Sequence, residues 1–265
     1  MMYLREDWQT PIYTSVRGGF GDGLVALAKQ DDRVVALSAD LVASVGFGKF
    51  AEHIGAPRLI EVGVAEQNLV TVASGLAAMG NIPFAASYAS FSPGRNWEQI
   101  RTTICLNNQP VKMVGSHAGL NVGPDGATHQ MLEDIALMRS LPNMVVLAPG
   151  DAYEAKLMAA VMATDSRPNY VRLPRADMPL FLNQATFEIG KSYTLRQGTD
   201  VALLGTGTMT YQLLLVAEIL ANQHSIQAEV VHFPTIKPLD EAAVLSAARK
   251  CGCVVTAEGG QVAGG

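Results

Sequence analysis

Glu66 is the residue of this chain whose setting most suits chemistry. It lies in the run Glu61-Val-Gly-Val-Ala-Glu-Gln-Asn68, which continues as Leu69-Val-Thr-Val-Ala-Ser-Gly-Leu-Ala-Ala-Met-Gly80. The run reads as the end of a strand, a turn on Gly63, and a helix with Leu69, Val72, Ala73, Leu76 and Ala77 on one apolar face. An acid in the first helical turn is ordinarily a solvated partner of the helix dipole. Here Val64, Ala65, Leu69 and Val70 flank Glu66. They leave open a second reading, a buried carboxyl able to hold or share a proton near neutrality. Ala73, Ser74, Gly75, Ala77 and Ala78 keep the helix thin, so another surface can pack close to it.

Other residue types collect around this stretch. Tyr88 and Phe91 offer flat apolar faces, which serve a core or a bound heteroaromatic ring equally well. His117, Asp125 and His129 fall on a loop over 117–129 whose glycines (Gly115, Gly119, Gly123, Gly126) permit tight bends. Asp40 follows an apolar strand, where α/β sheets place their sites. Gly205-Thr-Gly-Thr208 is a tight strand-to-helix turn, and too weak a signal for a phosphate cradle. Gly21-Asp-Gly23 lies inside or beside a helix and reads as coincidence rather than as a diphosphate motif. Cys251-Gly-Cys253 has no second Cys/His pair near it, so no metal site is expected there.

These residues need elements to hold them, and the hydrophobic pattern supplies an alternation. Strands are expected at 34–38, 58–62, 83–86, 111–115, 144–148 and 170–173. Helices are expected at 17–30, 50–54, from Glu66 onward, and at 97–106, 132–140 and 151–163. That order predicts a doubly wound parallel sheet of the α/β class. Residues 1–15 read as an extended lead-in and 177–183 as a connector. The pattern then restarts with strands at 200–204, 227–233 and 253–257 and helices at 209–221 and 241–249. This unit is thin for an independent core. The expected domains are 1–183 and a smaller, incomplete α/β domain over 184–265.

Composition limits the function. Apolar residues make up 49%, and the net charge of −5 is spread without blocks. No nucleic acid or anionic membrane is expected as partner. No apolar run reaches membrane-spanning length, no signal peptide is evident, and three cysteines suit a reducing cytoplasm.

The string Gly63-Val-Ala-Glu-Gln-Asn68 resembles the glutamate motif of thiamine diphosphate enzymes, in the branch holding transketolases, deoxyxylulose-phosphate synthases and the β subunits of 2-oxo acid dehydrogenases. The order of Ser38-Ala-Asp-Leu41, the Glu66 motif, the aromatic pair, Asp125-Gly-Ala-Thr-His129 and Leu173-Pro-Arg175 is similar to the second half of a transketolase. Nothing resembles the diphosphate-binding domain. The resemblance implies the pyrimidine-binding and C-terminal part of a split transketolase, moving a two-carbon ketol unit between sugar phosphates in pentose phosphate metabolism. It implies that Glu66 hydrogen-bonds N1′ of the aminopyrimidine, so that the ring's own imino group removes the thiazolium C2 proton. It further implies Asp40, Tyr88 and Phe91 at the cofactor, with Asp125 and His129 on sugar hydroxyls and His129 near the chemistry. Arg17, Ser44, His117 and Arg175 fall at phosphate-contact positions, and those groups suit a phosphate dianion. Mg²⁺ ligands are expected from a partner subunit carrying the diphosphate-binding domain, in an α2β2 assembly.

Two departures stand out. The family usually has an acid and a His after the strand at 253–257, where Gly259-Gly260 follow Glu258 here, and it continues past that pair. Two other readings are a 2-oxo acid dehydrogenase β subunit, which needs neither the phosphate group of residues nor Asp125 and His129, and a non-catalytic regulatory partner, which would not need Glu66.

Overall fold

A computed structural model describes residues 3–264; residues 1 and 2 of the expected lead-in, and Gly265, lie outside it. The first unit runs β1 (Tyr13–Ser15), α1 (Val16–Ala28), β2 (Val34–Ser38), α2 (Gly48–His53), β3 (Leu59–Glu61), α3 (Glu66–Ala78) and β4 (Ile82–Tyr88). It continues with α4 (Trp97–Gln99), which widens into a π-helix over Ile100–Cys105, then β5 (Lys112–Ser116), α5 (Asp134–Arg139), β6 (Val145–Leu147), α6 (Ala152–Thr164), β7 (Asn169–Arg172) and β8 (Asp177–Pro179). The second unit comprises β9 (Tyr193–Arg196), β10 (Val201–Gly205), α7 (Met209–His224), β11 (Ala228–His232), β12 (Thr235–Lys237), α8 (Glu241–Cys251) and β13 (Val254–Ala257).

The expected parallel sheet is present, in the order β12-β6-β7-β5-β4-β2-β3. All its neighbouring pairs are parallel except β12 with β6. Strands β2, β5 and β6 are buried along their whole length, as a sheet covered on both faces requires. Their side chains alternate between two cores. Val34, Ala36, Phe84, Ala86, Val114, Val145 and Leu147 face α1 and α6. Val35, Leu37, Ala85, Met113 and Val146 face the layer holding Leu69, Val70 and Ala73 of α3. Ser15 caps α1 by accepting from the Gly18 amide, and Asp151 caps α6 through the Glu154 amide. The Gly21-Asp-Gly23 tripeptide lies within α1. A Cβ on Gly23 would strike the Lys156 carbonyl of α6, and one on Gly21 the Gly46 carbonyl, so these glycines permit close packing.

Three departures from the expected elements matter. The extended lead-in and the connector pair with each other: β1 runs antiparallel to β8, Tyr13 opposite Pro179. Two short segments without helical bonds thereby satisfy each other's amides. The second sheet has four strands, β13-β10-β11-β9, not three. Strand β9 pairs antiparallel with β11; Tyr193 and Leu195 are buried between half-buried Thr194 and Arg196. Finally, β12 leaves the second unit and completes the edge of the first sheet beside β6.

The two units share one core. Leu203, Leu213, Leu214 and Val230 join the same apolar cluster as Phe20, Leu147 and Phe181. A buried polar network crosses the same seam. Asp151 accepts from the amides of Phe181 (2.9 Å) and Leu182 (2.8 Å). Glu154 accepts from the Gly150 amide at 2.7 Å and lies 2.8 Å from His232 Nε2, while His232 Nδ1 is 2.7 Å from Thr210 Oγ1. Burial pushes the Asp151 carboxyl up to about 6, against the pull of its amide donors. Groups paired at every point, as these are, hold a seam in one arrangement.

Candidate active site at the carboxyl edge of the sheet

The polar residues singled out in the sequence meet where the parallel strands end, the usual place for a site in such sheets. Glu66 begins α3 and is buried, at 3% exposure. Three interactions hold it. Asn96 Nδ2 donates to its carbonyl at 2.8 Å, Arg95 Nη1 to Oε2 at 3.0 Å, and Ser87 Oγ lies 3.4 Å from Oε1. Of the two readings of this acid, the solvated helix partner is the one that fails. Ser87 and Tyr88 end β4, so the strand carries one support of the carboxylate and the first aromatic residue together.

Tyr88 is the hub of an aromatic group. It stacks on His117 with centroids 3.8 Å apart and on Phe91 at 6.0 Å. His129 meets both rings edge-on, at 6.0 Å from Tyr88 and 5.2 Å from Phe91. One face of Phe91 carries the Arg95 guanidinium, 4.1 Å from the ring centroid. Glu66, Arg95, Phe91, Tyr88, His117 and His129 therefore form one continuous chain of contacts.

His117 follows β5 directly and takes a left-handed backbone, φ 59°. A non-glycine residue adopts that conformation at a cost, and the surroundings must hold it there. Its Nδ1 is 2.9 Å from Ser116 Oγ. Burial pushes its pKa down to about 4; Arg17 and Arg175 push the same way, and Asp125 opposes them. The ring is thus neutral at physiological pH. A base whose folded pKa lies below its unfolded value near 6.5 gives stability that is fully present above about pH 6.5 and is lost as the pH falls toward 4. A proton NMR titration is expected to show the His117 ring neutral down to about pH 4; a midpoint near 6.5 would mean that the ring is solvated.

Arg17, Ser44 and Arg175 are brought together, though not by their side chains alone. Arg17 donates from Nη1 to the Ser44 carbonyl and from Nη2 to the Arg175 carbonyl at 2.9 Å, and its Nε is buried without a partner. Burial lowers the Arg17 pKa. Arg175 Nη1 donates to the Val122 carbonyl at 3.0 Å, tying it to the loop after β5. Asp125 is exposed on that loop, on a turn over Gly126–Thr128. His129 Nδ1 is 2.9 Å from Thr128 Oγ1. Asp40 stands apart. Its amide donates to Glu61 Oε2 at 2.8 Å and its φ is 63°, while its exposed carboxylate makes no hydrogen bond among the described residues.

The sequence reading missed Arg95, Ser87, Asn96 and Ser116. Arg95 had one signal, a guanidinium four residues after Phe91 across a Ser-Pro-Gly turn; the other three carry none by themselves. A cavity of about 310 Å³ lined by Arg172, Thr206, Gly207 and Glu258 is separate from this group, and neither Glu66, Tyr88 nor Phe91 lines it. Among the described residues, no cluster of three His, Cys, Asp or Glu side chains is arranged to hold a metal ion, and no helix is long and apolar enough to cross a membrane.

Fold and site together define an α/β protein whose binding groups gather at the carboxyl edge of a parallel sheet around a buried acid. The chain belongs to the transketolase family. Residues 13–179 match the transketolase pyrimidine-binding domain and residues 190–265 the transketolase C-terminal domain. It is 42% identical over 257 residues to a putative transketolase C-terminal section of Methanocaldococcus jannaschii, covering 96% of this chain and 80% of that one. It is 41% identical over 263 residues to a 6-deoxy-6-sulfo-D-fructose transketolase subunit of a Clostridium species, covering 99% of this chain and 79% of that one. Among solved structures it is similar to a split gene transketolase described as an inactive beta4 tetramer, with TM-score 0.87 and 40% identity over 95% of this chain and 80% of the other.

Proposed function

We propose that this chain is the pyrimidine-binding and C-terminal subunit of a two-subunit transketolase, which moves a two-carbon ketol group from a ketose phosphate to an aldose phosphate. The observation that carries this reading is the buried Glu66 carboxylate, joined through Arg95 to one face of the Phe91 ring, which Tyr88 extends into a platform. A planar heteroaromatic with an N–H donor at its edge fits that arrangement, and the aminopyrimidine of thiamine diphosphate is such a group. When bound, the cofactor supplies the carbanion chemistry. The two relatives named as transketolase sections or subunits support the split arrangement. So does the resemblance to a split gene transketolase.

The residues divide the work. Glu66 accepts or holds the proton at the ring nitrogen, and its burial away from water strengthens that contact. Tyr88 and Phe91 fix the plane of the ring, and the exposed Asp40, which stands apart from this group, is assigned to the cofactor on the family motif alone. Asp125 and His129 lie on the loop facing the aromatic group, where they orient sugar hydroxyls. Arg17, Arg175, His117 and Ser44 make the phosphate end. Arg17 donates to the Arg175 carbonyl, Arg175 donates to the Val122 carbonyl, and both charges act on His117, so positive charge is gathered there before an anion arrives. A 2-oxo acid dehydrogenase β subunit has no use for that convergence. Mg²⁺ and diphosphate ligands come from the diphosphate-domain subunit, in an α2β2 assembly, and the three free thiols suit a reducing cytoplasm.

The phosphate end is tested by substrate choice. Arg175→Ala and His117→Ala are each expected to raise KM for phosphorylated sugars about 10- to 150-fold, which corresponds to the ~1.5–3 kcal/mol of a hydrogen bond to a charged group. Hydroxypyruvate, a donor without phosphate, should hardly notice either change. Equal losses with both donors would make these residues structural supports.

A further inference from the structure

The ion pair at Glu66 has a feature that the transketolase reading leaves unused. Arg95 makes two contacts at once: Nη1 lies 3.0 Å from Glu66 Oε2, and the guanidinium carbon lies 4.1 Å from the centroid of the Phe91 ring. These are the two surfaces assigned above to the aminopyrimidine. A guanidinium is planar, delocalised and edged with N–H donors, and it stacks on aromatic faces. It presents to Glu66 and Phe91 what the bound ring would present.

The two partners differ in mobility. The Glu66 side chain is 2% exposed and the Arg95 side chain 50%. Glu66 Oε1 lies 3.4 Å from buried Ser87 Oγ, and Oε2 is the oxygen paired with the half-exposed Arg95. A carboxylate buried without a partner is costly. Arg95 relieves that cost while the ring is absent. Its side chain is already half in water, so it can leave with little loss of its own.

We propose that Arg95 is a built-in competitor for the aminopyrimidine: it caps Glu66 and Phe91 in the empty subunit and is displaced when thiamine diphosphate binds. The proposal rests on the pyrimidine-site reading given above. It makes Arg95 a gate on cofactor loading, and it keeps the buried acid paired until the cofactor arrives.

The test is calorimetric titration of thiamine diphosphate with Mg²⁺ into the complex of this chain and its diphosphate-domain partner, in wild type, Arg95→Ala and Arg95→Gln. A competitor's removal tightens binding. Arg95→Ala is expected to lower the cofactor Kd roughly two- to fivefold, the range of a partly exposed ion pair. Arg95→Gln keeps a neutral N–H donor on a shorter side chain and should fall between the two. Thermal melting of the empty subunit should move the other way, with both variants lower than wild type, because Glu66 loses its partner. Unchanged or weaker cofactor binding in both variants would overturn the proposal and leave Arg95 as a fixed support of Glu66. Tyr88→Ala separates this from failure of the underlying reading. It should weaken cofactor binding if the ring lies at Tyr88 and Phe91, and a wild-type Kd in that variant would overturn the site assignment itself.

Discussion

Glu66→Gln is expected to lower ketol transfer by about 10²- to 10⁴-fold, the range for loss of a positioned acid–base group, while the cofactor stays bound. Glutamine keeps the length and shape of the side chain, so the carbonyl contact with Asn96 and the packing beneath α3 survive. The neutral amide removes the one group at the ring nitrogen that can hold a proton as a carboxyl and release it as a carboxylate. The partner left behind, Arg95, is half exposed and returns to water, so the variant should fold. Hydrogen–deuterium exchange at the thiazolium C2 in the reconstituted complex reads the effect separately from substrate binding, and calorimetry reads cofactor retention. Exchange at the wild-type rate in the variant would remove Glu66 from this role.

The second large effect is all-or-none. Purified alone, the chain is expected to bind thiamine diphosphate weakly and to show no ketol transfer, and a one-to-one mixture with a diphosphate-domain subunit should restore both. Mg²⁺ asks for near-octahedral oxygen ligands. The site assembled here offers instead a buried carboxylate, ring faces and cationic groups, which is half of what the cofactor requires. The outer face of α3 is exposed through Gln67, Asn68, Gly75 and Ala78, and Val64 and Met79 beside it are 70% and 82% exposed. A thin helix with exposed apolar ends is the kind of surface a second subunit covers. Titration of the cofactor into the isolated chain, then an assay with and without the partner, decides the point. Tight Mg²⁺-dependent binding and turnover by this chain alone would sink the split-enzyme reading.

Much of this was legible from residue order. The parallel sheet could be read because each strand is a short apolar run between helical repeats, and those signals are local. For Glu66 the flanking Val64, Leu69 and Val70 raised burial only as a second reading beside a solvated helix acid, and the fold decides for burial. Tyr88 and Phe91 were equally compatible with a core, and only the motif around Glu66 separated the two. What escaped was set by distance along the chain. Arg95 reaches Glu66 across 29 positions, and nothing near either residue encodes the pairing. Strand β9 carried the right alternation at Tyr193 and Leu195, but it is four residues long and flanked by polar ones. The three residues of β12 become a strand only because β6 offers an open edge.

That last strand bears on how the chain is made. During synthesis β6, at Val145–Leu147, is finished long before the ribosome reaches Thr235. At about 5–20 residues per second, the wait is on the order of ten seconds. Through it the outer side of β6 carries unpaired amides and carbonyls, the condition in which one nascent chain adds itself to the sheet of another. The end of translation through this region is therefore also the moment when the first domain becomes safe, and a stalled or shortened product is expected to be lost to aggregation rather than to accumulate as a folded half.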